Sequence, residues 1–176
     1  YMAGDSLDLS SLTAKAVYDN GNKVDVALAD LTIGSVDMKT SGTKTVEVTY
    51  GGVSSSFEIK VGEYAATAAT IANVDNKAIV TVSGTYAGLT AEEFQSFGWT
   101  ADFQNNGYNG GTWSGPWTNY VEEAVAFTMG EGTWSYTRDV TAIPDGLFTG
   151  HFGHKLVPNA NGDLQKVDLK IVAEED

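Results

Sequence analysis

The chain has 176 residues, enough for one large domain or two small ones, and its 42% hydrophobic content suffices for a packed core. Its 23 acidic and 10 basic residues give a formal net charge of −13, which repels phosphates and anionic bilayers and so argues against nucleic-acid and membrane partners. There is no cysteine, which excludes disulfides and thiolate metal sites.

No apolar run is long enough to insert into a bilayer. Opening at Tyr1 inside a strand-like pattern, the sequence reads as a piece of a longer multidomain chain. Its richness in Thr, Gly, Asn and Asp, with few Lys and Arg, leans towards a secreted or cell-surface setting.

Residues 1–62 read as strands throughout. LTAKAVYDNGNKVDVAL puts Leu12, Ala14, Ala16 and Tyr18 on one face, and Val24, Val26 and Leu28 on one face after a turn. The intervening Asp19-Asn20-Gly21-Asn22 predicts a hairpin, because Asn and Gly tolerate the positive φ that tight turns demand. KTVEVTY sets Val46, Val48 and Tyr50 against Thr45, Glu47 and Thr49. Gly51-Gly52 then turns the chain into VSSSFEIKV, with Val53, Phe57, Ile59 and Val61 as the inner row. Short alternating strands at this spacing predict a small antiparallel sandwich.

Those residues also carry a resemblance. The early LDL, the tyrosine before the DNG turn, the SGTKTVEVTYGG segment and the FEIKV ending resemble the group 3 bacterial immunoglobulin-like domain. The resemblance implies a spacer domain in a secreted or wall-anchored protein, in keeping with a Gram-positive cell wall. Asp5 and Asp8 lie at a strand entry, where carboxylates are more often solvated or capping than metal-bound.

Residues 63–70, EYAATAAT, are small and featureless and read as a short linker or packed joint. The second module is assigned to residues 71–176. KAIVTVSGTYAGL predicts a strand ending in a glycine-bounded turn. Thr90 followed by Glu93 predicts a capping box on a short helix that Gly98 stops. Phe97, Trp99, Ala101 and Phe103 share one parity, so Trp99 reads as structural. YVEEAVAFTMG keeps Val121, Glu123, Val125, Phe127 and Met129 on one parity, with a short helix at its start as an alternative. Later rows are Trp134, Tyr136, Arg138 and Val140; Phe148, Phe152 and Leu156; and Val167, Leu169 and Ile171. The fold class expected is all-β: two antiparallel β-sandwich modules, a small Ig-like one and then a larger carbohydrate-binding-type sandwich with one short helix.

Catalysis finds little support. A glycosidase needs two carboxylates a few ångströms apart on rigid elements; Asp102, Glu122, Glu123, Glu131 and Asp139 are available, yet none sits in a motif. No GxSxG context surrounds any serine. His151 and His154 would face opposite sides of a strand, which spoils a zinc pair. No cofactor is called for, although loop oxygens of Asp102, Asn105, Asn106 or Asp163 would suit calcium.

The stretch from Phe97 to Tyr120 holds three of the four tryptophans within Gly- and Asn-rich sequence. Large aromatics on a polar loop either pack inward or await a flat partner. A sugar ring offers a C–H face to an indole and hydroxyls to amides, carboxylates and Lys. Covering ~60 Å² of apolar surface at about 25 cal/mol per Å² returns ~1.5 kcal/mol per ring. Trp113 and Trp117 flank Gly115-Pro116 and read as the stacking pair, with Tyr108, Tyr120 and Trp134 as further aromatics. Gln104, Asn105, Asn109, Asn119, His151 and Lys155 are the hydrogen-bonding candidates. Packing in the core is the competing reading for Trp113 and Trp117, and for Trp134 the two readings balance.

In overall texture residues 71–176 loosely resemble the carbohydrate-binding modules of secreted Firmicutes amylases and related glycan-degrading enzymes. That resemblance implies non-catalytic binding of a polysaccharide, with starch-type α-glucan as the first guess. The alternative is an adhesin or structural segment that contacts a protein.

Overall fold

A computed structural model describes residues 1–105, 108–109, 112–113, 119–122, 125–139, 146–154 and 165–171, and for residues 78, 100–105, 108–109, 112–113, 119–122, 146–152 and 165–171 it describes the backbone alone. The chain divides into two units, Tyr1–Glu63 and Tyr64–Asp176. Both are built from antiparallel sheets, so the chain is all-β, with one short α-helix among the described residues.

In the first unit β1 (Ala14–Val17) and β2 (Lys23–Val26) form the expected hairpin, with Ala14 opposite Val26 and Val17 opposite Lys23. Its turn closes through the Gly21 N–H donating to the Tyr18 carbonyl at 2.8 Å and the Asn22 N–H donating to Asn20 Oδ1 at 3.0 Å. Gly21 holds φ of +81°, a value that L side chains rarely adopt. After a 3-10 turn at Leu28–Asp30, β3 (Thr32–Ile33), β4 (Gly42–Tyr50) and β5 (Val53–Val61) form a three-stranded sheet in the order β3-β4-β5. Gly51 and Gly52, at φ +57° and +79°, make the two-residue turn that suits the right-handed twist of a β-ribbon.

Val46 and Val61 are fully buried, and Met2 joins them because the N-terminal segment lies along the end of β5. There the Ala3 N–H donates to the Gly62 carbonyl at 2.7 Å, and the Gly62 N–H donates to the Tyr1 carbonyl at 2.8 Å. Not every alternating apolar residue points to the core. Tyr18, Val24, Leu28, Tyr50 and Val53 are exposed, Val53 by 74%. Tyr50 and Val53 flank the Gly-Gly turn, where the ribbon runs past the two-residue β3, whose pairing reaches only Val48 and Thr49. Leu28 belongs to the 3-10 turn instead of a strand.

Two surface aspartates brace the loops of this unit. Asp8 Oδ1 accepts from the Ser10 N–H at 2.8 Å, and that bond, aided by the Ser10 hydroxyl, holds its carboxyl below the usual carboxylate range. Asp37 accepts from the Thr40 hydroxyl at 2.5 Å and the Lys39 N–H at 2.9 Å, and the same two bonds, the hydroxyl first, lower its pKa. Asp5 is buried and accepts the Met2 N–H at 2.9 Å. Asp5 and Asp8 thus each serve the backbone within a few residues of themselves.

The second unit opens with a strand where a joint was expected. Residues 63–70 belong to β6 (Glu63–Val74), which turns at Asp75-Asn76 into β7 (Lys77–Ala87). Those turn residues take φ of +51° and +61°, so Asp and Asn occupy the left-handed positions glycine usually fills. Alanine is a poor strand former, and pairing with β7 overrides that preference. The capping box is present: Thr90 Oγ1 accepts the Glu93 N–H, and Glu93 accepts the Thr90 N–H, at the start of α1 (Ala91–Gln95).

The remaining strands are β8 (Thr100–Asn105), β9 (Tyr108–Asn109), β10 (Thr112–Trp113), β11 (Asn119–Glu122), β12 (Thr128–Gly130), β13 (Thr133–Asp139), β14 (Gly146–Gly153) and β15 (Gln165–Ile171). They make two four-stranded sheets, β12-β13-β7-β6 and β11-β8-β14-β15, and the hairpin β9-β10. Asn119–Glu122 is a strand, so the helical alternative there is corrected: pairing with β8 decides it.

An aromatic cluster fills the core of this unit. Phe94, on the capped helix, packs on Trp99 with ring centroids 4.3 Å apart, and Tyr64 meets Trp99 edge-on at 4.7 Å. Phe127 reaches Trp134 at 5.8 Å, and His154 reaches Trp99 at 5.8 Å. The buried indoles are satisfied: Trp99 Nε1 donates to the Phe94 carbonyl at 2.5 Å and Trp134 Nε1 to the Thr85 carbonyl at 3.1 Å. Gly84 lies opposite Trp134 in the β13–β7 ladder, and a Cβ there would run into the Ala65 carbonyl and the indole.

Two outcomes are expected. Gly84→Ala should lower stability by about 1–3 kcal/mol through overpacking, measured as a fall in the urea midpoint by tryptophan fluorescence. The depressed Asp8 and Asp37 carboxyls contribute stability above their unfolded pKa of about 3.9, and it is lost as pH falls through their lower folded values. Asp37→Asn should therefore flatten the loss of first-unit stability on acidification below about pH 4, followed by urea unfolding at the NMR signals of Lys39 and Thr40.

Candidate ligand-binding face

The sheet β11-β8-β14-β15 sorts its residues by parity. Successive side chains on a strand alternate between faces, and direct cross-strand partners share one. Gln104 is partnered by Asn119 on one side and Thr149 on the other, and Thr149 by Asp168. Positions 119, 104, 149 and 168 therefore form one row across all four strands. The next row on that face is Val121, Asp102, His151 and Lys166.

The opposite face carries Phe103, Tyr120, Phe148, Phe152, Val167 and Leu169. It also shares parity with Trp99 and His154, the residues just beyond the paired Thr100 and Gly153. Both are buried, Trp99 at 2% exposure and His154 at 6%. His154 Nδ1 and the Tyr64 hydroxyl lie 3.4 Å apart. The aromatic positions thus share the parity of two core residues, and the polar rows take the other face of the same strands.

Beside β14 sits the hairpin β9-β10. It follows β8 at the end where Asn105 pairs with Phe148, next to the row of Gln104 and Thr149. Within it Tyr108 and Trp113 are direct cross-strand partners, as are Asn109 and Thr112. The two aromatic positions therefore share one face of the hairpin, with Cβ atoms on the order of 5 Å apart.

The expected site residues fall into four groups. Gln104, Asn119 and His151 come together on the polar face of one sheet, and Tyr108 and Trp113 on the adjacent hairpin, with Asn109 on that hairpin's other face. Asn105 and Tyr120 belong to the opposite face of the sheet, with Phe103. Trp134 is corrected: at 1% exposure, with Tyr136 at 4% beside it, its indole is committed to the core and offers no face to a ligand. Trp117 and Lys155 lie outside the described residues, and Tyr108 and Trp113 are the aromatic positions that the structure makes cross-strand partners.

Among the described residues no three His, Cys, Asp or Glu side chains come together in a group that could hold a metal ion. Asp102 and Asn105 have opposite parity on β8, and Asn106 and Asp163 lie outside the described residues. Of the carboxylates weighed for hydrolysis, Asp102 and Glu122 occupy opposite faces of the sheet, and Asp139 pairs with Lys77 at 3.3 Å.

Sequence reasoning did not nominate Thr149, Lys166 or Asp168. The signal was present in QKVDLKI, where Lys166, Asp168 and Lys170 form the complement of the inward row. Which strands flank that row depends on the pairing of β14 with β15 on one side and with the distant β8 on the other.

Among solved structures, bovine butyrophilin aligns with a TM-score of 0.38 and 10% identity over 92% of this chain and 68% of its own. Domains 4 and 5 of the S-layer protein SbsC align with a TM-score of 0.28 and 16% identity over 92% of this chain and 80% of theirs. Both likenesses are too distant to bear on fold or function. A curated relative, the Exo-beta-1,6-galactobiohydrolase of Bifidobacterium longum subsp. longum, is 46% identical over 66 residues, which is 35% of this chain and 4% of that protein. The sequence model of the Bacterial Ig-like domain (group 3) matches residues 1–61, so the chain carries an N-terminal bacterial immunoglobulin-like domain.

Proposed function

We propose that the second unit is a non-catalytic glycan-binding module of a larger secreted or cell-surface protein, with starch-type α-glucan as the first ligand to try. The observation that carries this reading is the pairing of Tyr108 with Trp113 on a hairpin beside a sheet face that holds Gln104, Asn119 and His151. Two rings on one side of a hairpin offer a flat apolar surface to sugar C–H groups. The amides and imidazole supply partners for hydroxyls.

Carriage in a larger protein is supported by the Ig-like domain at residues 1–61 and by the relative of which this chain spans 4%. The name of that relative brings β-1,6-linked galactan into the panel beside starch. The net charge of −13 favours neutral polysaccharides over acidic ones.

Pull-down of the full chain across insoluble and soluble polysaccharides tests the reading. The expected result is retention on a neutral glycan, lost or weakened by roughly tenfold in Tyr108→Ala and in Trp113→Ala, the effect of removing one ring worth ~1.5 kcal/mol. Their unfolding midpoints should match that of the wild type. A wild type that ignores every polysaccharide, or ring variants that bind undiminished, would overturn it.

A further inference from the structure

We propose that the first unit bears tension, and that its N-terminal segment and the end of β5 form a shear clamp that resists unfolding when the chain is pulled from its two ends. This function is separate from ligand binding and holds whatever the second unit binds.

Met2 and Gly62 form a parallel bridge, so Tyr1–Ala3 and Lys60–Gly62 run side by side in one direction. β5 is the edge of the sheet β3-β4-β5, and the N-terminal segment occupies the open side of its last residues. Three backbone bonds join the two stretches. The Tyr1 amine donates to the Lys60 carbonyl at 3.1 Å, the Gly62 N–H to the Tyr1 carbonyl at 2.8 Å and the Ala3 N–H to the Gly62 carbonyl at 2.7 Å.

These residues are also where covalent tension passes into and out of the unit Tyr1–Glu63. Tension draws Tyr1 towards the N-terminus and Gly62 towards the C-terminus. Between parallel strands those two pulls oppose each other along the strand axis, so the strands part only by sliding. Sliding loads the three bonds together, whereas opening from one end breaks them in turn. The lifetime under force follows the unfolding barrier, which shared loading raises.

The short segment is held against peeling as well. The Met2 side chain is fully buried, as is Val61 beside the bridge. Asp5, itself buried, accepts the Met2 N–H at 2.9 Å; the Gly4 N–H donates to the Met38 carbonyl at 2.8 Å, and the Tyr1 hydroxyl to the Asp8 carbonyl at 2.8 Å. Met2 to Asp5 is a turn closed by the Asp5 N–H on the Met2 carbonyl at 3.0 Å, with Gly4 at φ +94°. That is a type II turn, which accepts proline at its second residue, Ala3. Ala3→Pro therefore deletes one clamp donor while suiting the turn.

Constant-force pulling of single full-length chains tests the clamp. With handles at both termini, the first unit should release roughly 200 Å of contour, a smaller step than the longer second unit gives. The chain has no cysteine, so Lys39→Cys supplies a unique second attachment point. Pulling from there and from the C-terminus opens β4 and β5 from the end where Gly42 faces Val61, pair by pair, without loading the clamp. At equal force the first unit should survive on the order of tenfold longer in the end-to-end geometry, the difference between sharing the bonds and breaking them singly. Ala3→Pro should shorten the end-to-end lifetime by about fivefold, the rate equivalent of one net backbone hydrogen bond, and leave the Lys39→Cys geometry unchanged. Its urea midpoint should stay close to that of the wild type. Equal lifetimes in the two geometries overturn the clamp, as does an Ala3→Pro chain that lasts as long as the wild type end to end. The comparison of geometries keeps Ala3 and so decides the matter even where Ala3→Pro lowers the urea midpoint.

Discussion

The second unit depends on one packed contact, the Phe94 ring against the Trp99 indole, with the indole N–H bound to the Phe94 carbonyl at 2.5 Å. An indole can be buried among aromatics only if its N–H finds an acceptor. Here the acceptor is supplied by the same residue whose ring it packs against. The five-residue helix that presents Phe94 is too short to be stable alone, and the Thr90–Glu93 capping box fixes its first turn. Tyr64 from β6, Trp134 and Tyr136 from β13 and His154 after β14 gather around this contact, so elements from both four-stranded sheets meet in it.

That cluster also decides what the other face of the sheet is free to do. Trp99 and His154, just beyond the paired ends of β8 and β14, are buried, and strand alternation gives the opposite parity to Asp102, Gln104, Thr149 and His151. Gly84 shows how little slack the arrangement has, since the Trp134 indole and the Ala65 carbonyl occupy the space a methyl group would need. A rigid sheet of this kind is a suitable support for a ligand platform, because residues on strands are held more exactly in register than residues on loops.

Much of the strand content was legible from periodicity. The Asn20-Gly21 and Gly51-Gly52 turns, the Thr90 capping box, the burial of Trp99 and the inward pair Trp134 and Tyr136 of β13 all follow from local rules. Local rules failed where pairing outweighs propensity. The alanine-rich 63–70 stretch carries no strong strand signal and became β6 because β7 lies beside it. Val53 and Tyr50 obey the alternation yet stay exposed, since a hairpin end has no neighbour to bury them. Trp134 illustrates the same limit for the site, because an aromatic on an alternating strand looks identical whether its face is core or surface.

The sequence by itself determined the class of the fold, the turns, the Ig-like character of the first unit and which residue types were available for a ligand, because each of these is written in short-range pattern and composition. Only the tertiary structure decided which of those residues stand together. It paired Tyr108 with Trp113, set Gln104 between Asn119 and Thr149, and took Trp134 into the core. The physical reason is that cross-strand partnership is set by long-range register, and a shift of one residue exchanges the two faces of a strand without changing any local feature of its sequence.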